Sequence, residues 1–265
     1  MENSKNIKEI VKEKYGAIAE ESKNEGCGCC CESKKIVDYT IFSDDYSKLD
    51  GYSEDADLGL GCGLPTEFAN LKIGDAVVDL GAGAGNDVFV ARSIVGDTGK
   101  VIGIDMTEEM IDLANENKDK LGFSNIDFLL GEIEDLPVIE DSIDVVISNC
   151  VLNLVPDKEK SFSEIHRILK NGGHFCVSDI VLAGNLPEGL KKSAEMYAGC
   201  VAGALQQDEY IEIINKTGFR NIEIKQTKTV TLPSDILIKY LSEEQLIDYN
   251  NSGIGIFSIT VVGEK

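Results

Sequence analysis

Ala76-Val77-Val78-Asp79-Leu80-Gly81-Ala82-Gly83-Ala84-Gly85-Asn86 is the stretch that decides the fold. A short, mostly apolar run that stops at glycine reads as a buried strand ending in a tight turn. A helix is predicted to begin near Asp87. Toward the C-terminus the same unit recurs. Val101-Ile102-Gly103-Ile104-Asp105 is a second strand, and Thr107 is placed to cap the helix opened by Glu108-Glu109-Met110. Residues 126–130 and 143–148 supply the third and fourth strands. A helix over 158–169 leads through Gly172-Gly173 to a fifth strand at 174–180. Residues 187–217 read as two helices, and 222–224 and 257–262 as closing strands. Short apolar strands alternating with helices predict an α/β fold, with a mostly parallel, seven-stranded sheet covered by helices on both faces.

Toward the N-terminus the pattern changes. Ile7, Ile10, Val11, Tyr15 and Ile18 form one stripe of a helix over residues 5–22. Gly26-Cys27-Gly28-Cys29-Cys30-Cys31 is a biased tract that builds no regular element. Residues 32–70 are polar and Gly-rich and read as a loop or lid with one short helix. Three segments follow: 1–70 carries the helix, the Cys tract and the lid; 71–183 is the strand–helix core; 184–265 holds helices and closing strands.

The glycine turn carries the first chemistry. Glycines after the first strand let a ligand approach the backbone. A dinucleotide site spaces them G-x-G-x-x-G and sets a pyrophosphate on the helix N-terminus. Here they fall as G-x-G-x-G, with Asn86 at the last dinucleotide position, which fits a ligand without phosphate. Asp105, at the end of the second strand, is placed to accept hydrogen bonds from ribose hydroxyls. That role is common to nicotinamide and adenosyl ligands. The Glu132 loop, after the third strand, lies where an adenine edge would be held. The alternative is a plain doubly wound domain whose glycines only make turns.

In order and content, Val78 to Gly85, Gly103-Ile104-Asp105, Glu134-Asp135-Leu136-Pro137 and Leu169-Lys170-Asn171-Gly172-Gly173 resemble the class I S-adenosylmethionine-dependent methyltransferases, over about residues 70–230. Asn171 stands where that family usually has Pro. The resemblance implies a Rossmann-like core plus an N-terminal helix and lid. It also implies S-adenosylmethionine binding by Asp79, Gly81, Gly83, Gly85, Asp105, Met106, Glu132, Ile133 and Asn149.

Composition narrows the acceptor. A net charge of −22 repels phosphate backbones and anionic membrane surfaces, so neither nucleic acid nor membrane is an expected partner. No signal-type segment opens the chain, which predicts a cytoplasmic protein with reduced thiols. The eight Cys then read as ligands or redox groups rather than a disulfide framework. The two His, His166 and His174, read as structural or surface residues.

Cys62 lies between glycines in the lid. Cys150 follows the fourth strand, on the cofactor rim. Cys200 lies among small residues on a predicted helix. Each alone reads as a small core residue, as does Cys176 within the fifth strand. Jointly they suit a soft centre. Trivalent arsenic held by three thiolates keeps its lone pair, and that lone pair attacks a sulfonium methyl without a general base. Acceptor and methyl then need only to be positioned.

Tyr15-Gly16, Leu58 to Gly63, Ile147 to Leu154, Ser178-Asp179-Ile180-Val181 and Tyr197 to Ala204 resemble the microbial arsenite methyltransferases, over about residues 5–230. Leu64 and Val88 depart from that family's pattern without removing a ligand. The resemblance implies methylation of arsenite at Cys62, Cys150 and Cys200. It further implies a thiol reductant of glutathione or thioredoxin type as co-substrate, and methylated arsenicals as detoxification products. The tract Cys27, Cys29, Cys30 and Cys31 is open between arsenic capture, disulfide exchange and a mobile tail. A monomer is expected. Two other functions stay open: a small-molecule C- or O-methyltransferase, and a thiol-rich protein that sequesters metalloid without turnover.

Overall fold

The computed structural model describes residues 2–25, 44–184, 203–230, 237–238, 241–251 and 255–265. Strands β1 (Ala76–Leu80), β2 (Lys100–Asp105), β3 (Ile126–Leu130), β4 (Ile143–Asn149) and β5 (Leu169–Ala183) pair in parallel in the order β3-β2-β1-β4-β5. β6 (Leu205–Gln206) pairs with Val181 and Leu182 of β5. β7 (Arg220–Val230) and β8 (Gly255–Glu264) close the sheet, with β8 antiparallel between β5 and β7. The sheet thus has eight strands rather than the expected seven. The extra one, β6, is two residues long, too short to carry an alternation that sequence can reveal. β5 also starts before its predicted 174, because Leu169 already pairs with Ile143 of β4, and the ladder is irregular from there to the pairing of His174 with Val145.

Helices α1 (Glu2–Glu25), α2 (Pro65–Phe68), α3 (Asn86–Val95), α4 (Glu108–Leu121), α5 (Lys158–Ile168), α6 (Gln207–Lys216) and α7 (Glu243–Asn251) complete the described elements, with short 3-10 turns at Glu54–Ala56 and Leu152–Leu154. Of the two helices expected over 187–217, α6 is seen; residues 185–202, including Cys200, lie outside the described residues. So do Cys27, Cys29, Cys30 and Cys31. Among the described residues no helix is long and apolar enough to cross a membrane.

Strand alternation distributes side chains between two cores. Val78 and Val146 join Phe162, Ile165 and Tyr210 on one face. Val77, Val145 and Cys176 join Phe89, Met110 and Leu113 on the other. His166 packs its ring against Phe219, and His174 Nε2 lies 2.6 Å from the Ala69 carbonyl, so both serve the scaffold. Thr107 occupies the N-cap of α4, but its side chain caps nothing there. Its hydroxyl bonds Asp105 instead.

From β1 the chain winds outward to β2 and β3, then returns to place β4 on the other side of β1. Open α/β sheets bind ligands at such a reversal, beyond the carboxyl ends of the strands. Gly81 after β1 and Asn149-Cys150 at the end of β4 meet there. A third apolar cluster caps this end and contains Cys62, Cys150, Leu154, Ile180 and Ile256.

Candidate active site

The turn after β1 is held by its own backbone. Gly81 N–H and Ala82 N–H both donate to the Ile104 carbonyl of β2, at 2.7 and 3.0 Å. Asp105 accepts from Gly83 N–H at 3.0 Å and Thr107 N–H at 2.9 Å. Burial, set against these bonds, raises its pKa. Gly83 has φ +50, and a side chain there would meet nothing within 4 Å, so its missing Cβ leaves open space facing the cleft. Gly85 has φ +99 and lies off the cleft; a Cβ there would sit 2.9 Å from the rings of Phe128 and Phe89. It makes the turn and lets helix and sheet pack closely.

The cleft at the reversal is lined by Asp79, Gly81, Gly83, Asp105, Met106, Glu132, Ile133, Asn149 and Cys150, among others. Its electrostatics are one-sided. Asp57, Asp79, Asp87, Asp105, Glu132 and Glu134 face it, and the one cation among its described lining residues is Lys8. Lys8 lies 2.8 Å from both Glu132 and Glu134. These ion pairs fasten α1 across the mouth, where Val11 and Tyr15 also line the wall.

Burial, followed by the carboxylates of Asp87 and Asp105, drives the Asp79 carboxyl well above the usual range. Asp87 is pushed up to about 6, chiefly by burial, although Asn149 and Tyr46 bond its charged form. Such a cleft disfavours a pyrophosphate and favours a ligand with positive charge. Asn86 Oδ1, on the same wall, is buried without a hydrogen-bond partner among the described residues and calls for a donor. S-adenosylmethionine, with a sulfonium and an ammonium group, fits this donor and charge pattern. Asp79, Asn86 and Asp105 line the part of the cleft that carries this pattern.

Two of the three cysteines predicted to act together do meet. The Sγ atoms of Cys62 and Cys150 and a carboxylate oxygen of Asp179 all lie within 4.8 Å of one another, and all three residues are buried. Cys150 takes the left-handed conformation at φ +60 and donates its N–H to the Ser178 carbonyl at 2.8 Å. A non-glycine residue rarely adopts this backbone conformation, and such strain clusters at functional sites. Cys62 N–H donates to Asn149 Oδ1 at 3.0 Å, and its carbonyl accepts from Ser258 Oγ. Asn149 Nδ2 donates to the Gly63 carbonyl at 2.8 Å and to Asp87 at 3.1 Å. The Tyr46 hydroxyl donates to Asp87 at 2.9 Å. Asn149, expected to hold cofactor, therefore also pins the Cys62 loop.

Asp179, Tyr46 and Asp87 received no role from the sequence. Asp179 did leave a signal, a carboxyl inside the apolar run from Phe175 to Leu182, where an acid is costly unless it has work to do. It accepts from Ile180 N–H at 3.0 Å and Tyr210 hydroxyl at 3.2 Å, and burial pushes it up to about 7. Tyr46 left no signal in its polar loop. Cys176 is fully buried, donates to the Pro65 carbonyl at 3.2 Å and has its thiol pushed up to about 12 by burial, which makes it a core residue.

The sheet order, with its antiparallel closing strand, and a cleft suited to a cation define a class I S-adenosylmethionine-dependent methyltransferase. Residues 71–218 match the family described as Methyltransferase domain. The arsenite methyltransferase of Halobacterium salinarum is 40% identical over 229 residues, covering 82% of this chain and 58% of that protein. The arsenite methyltransferase of Aquipseudomonas alcaligenes is 31% identical over 244 residues, covering 89% of this chain and 68% of that protein. The crystal structure of an arsenic (III) S-adenosylmethionine methyltransferase from Chlamydomonas reinhardtii superposes with a TM-score of 0.65 at 34% identity, covering 77% of this chain and 67% of that one. This chain belongs to the arsenite methyltransferase family. Its matched part spans about three fifths to two thirds of the length of these relatives.

Proposed function

We propose that this chain methylates trivalent arsenic held by the thiolates of Cys62, Cys150 and Cys200, using S-adenosylmethionine, in detoxification within a reducing cytoplasm. The carrying observation is the convergence of the Cys62 and Cys150 sulfurs in one cluster beside the acidic cleft. Soft thiolates select a soft acceptor over the carbon or oxygen of an organic one. Each thiol displaces one hydroxide from arsenic, and the thiol proton departs with it as water. S-adenosylmethionine, when bound, supplies an electrophilic methyl on a sulfonium. Asp79, Asp105 and the Gly81–Gly83 turn hold and orient that ligand, while Asn149 and Ser258 fix Cys62 and the left-handed turn fixes Cys150. Positioning of this kind is worth several orders of magnitude in rate. The chain acts as a monomer in this reading.

Forming the As–C bond uses the arsenic lone pair, so arsenic leaves the step two electrons more oxidised. Two thiols of a glutathione- or thioredoxin-type reductant, becoming a disulfide, restore the trivalent state. The tract Cys27, Cys29, Cys30 and Cys31 is placed in sequence to deliver arsenic or to take part in that exchange.

The test combines purified protein, labelled S-adenosylmethionine, arsenite and excess thiol. Labelled methylarsenicals are expected. Cys62→Ser and Cys150→Ser should each lower their formation by roughly 100-fold or more while leaving adenosyl-ligand affinity within threefold, since positioning of the acceptor is lost. Label on organic acceptors alone would indicate a small-molecule methyltransferase. Stoichiometric arsenic binding without transfer would indicate sequestration.

A further inference from the structure

The Asp179 carboxyl lies in the thiol cluster itself, within 4.8 Å of both sulfurs. It stands on β5, a strand otherwise apolar from Phe175 to Leu182 except at Ser178. Lys158, a buried cation at the start of α5, favours its charged form. Tyr210 and the Ile180 N–H supply donors that an amide oxygen would accept equally well. Two sulfurs and one oxygen donor set around a single point is an unequal set, two soft groups and one hard.

Resting on the arsenic reading above, we propose that Asp179 is a specificity-determining residue: its carboxyl hydrogen-bonds the hydroxyl left on arsenic after Cys62 and Cys150 have each displaced one and before Cys200 displaces the last. Arsenite, As(OH)3, reacts with two thiols to form two As–S bonds, break two As–O bonds and release two waters. One As–OH remains, and it faces the third member of the cluster. Methylarsenite, CH3As(OH)2, gives the same two As–S bonds and two waters but retains a methyl group and no hydroxyl. The carboxyl therefore favours the unmethylated substrate and offers nothing to the singly methylated one. Ionised, it accepts from the As–OH; protonated, it donates to the same oxygen, so the discrimination does not depend on its titration.

The experiment measures equilibrium binding of arsenite and of methylarsenite to full-length protein, by quenching of intrinsic tyrosine fluorescence and by arsenic stoichiometry after gel filtration. The background is Cys200→Ser, which leaves the third position to hydroxyl. Asp179→Leu in that background should weaken arsenite binding about tenfold or more, the worth of one hydrogen bond to a charged group. Methylarsenite binding should stay within twofold. Asp179→Asn, which keeps a hydrogen-bonding group and the Tyr210 contact, should restore most of the arsenite affinity. The ratio of the two affinities corrects for any variant that folds incompletely. An unchanged ratio in Asp179→Leu overturns this proposal while leaving the thiolate reading intact. Failure of the Cys200→Ser protein itself to bind arsenite, with adenosyl-ligand affinity preserved, overturns the two-thiol intermediate and this proposal with it, and leaves the three-thiolate reading to the labelled-methyl assay above.

Discussion

At the scale of the residue, the site depends on a few buried polar groups held away from their ordinary ionisation. Asp87 is the clearest. Its pKa is about 6 in the folded protein against 3.8 unfolded, and burial is the main cause. The folded state thus binds the proton more tightly. Its contribution to stability is fully present below about pH 4 and is lost as the pH rises through 6. Asp87→Asn keeps an acceptor for Tyr46 and removes this penalty. Urea unfolding should show the variant gaining on the parent between pH 4 and pH 7, by up to about 2–3 kcal/mol at 1.4 kcal/mol per pKa unit. A difference that is flat with pH would mean that Asp87 is solvated and ordinary. Asp87 and Cys62 were unequal in legibility. A cysteine between two glycines announces itself, whereas an aspartate in the first turn of a helix looks like routine capping. Only its contact with Asn149 and Tyr46 gives it a part in the site.

At the scale of the element, the lid segment carrying Cys62 is fitted against the strands with no room to spare. An added Cβ at Gly61 would lie 2.6 Å from Asn149 Nδ2, and one at Gly63 would overlap the Ser178 side chain. Ser178 is buried and hydrogen-bonds Thr260 at 2.9 Å, so it cannot swing aside cheaply. Gly63→Ala should lower thermal stability by about 1–3 kcal/mol, the usual cost of overpacking. It should also displace the Cys62 sulfur, cutting arsenite affinity roughly tenfold while adenosyl-ligand affinity, measured by calorimetry, changes little. Retention of full arsenite affinity would mean that the loop is freer than its packing indicates. Strands β1 to β4 were readable because apolar runs bounded by glycine are local properties. The two residues of β6 and the early start of β5 were not, since pairing with a neighbour, rather than composition, makes them strands.

At the scale of the whole molecule, a charge of −22 sets acidic groups against one another. Compaction brings them closer, so self-repulsion lowers stability and salt relieves it. The melting temperature should rise by about 3 °C or more between 0.02 and 0.5 M sodium chloride, as the screening length falls from some 20 Å to a few ångströms. A melting temperature that falls with salt would place the ion pairs, Lys8 with Glu132 and Glu134 among them, above the general repulsion. The same acidity, focused in the cleft, argues for a cationic ligand. It could be counted from composition, but its concentration at the sheet's reversal point could not. Sequence alone determined the alternation of strand and helix, the glycine turn, Asp105 at a strand end and Cys150 on the rim, because each follows from neighbours along the chain. Only the tertiary structure decided that Cys62 reaches Cys150, that Asp179 joins them and that Asn149 pins the loop, because proximity across the fold is created by packing and is written in no single segment.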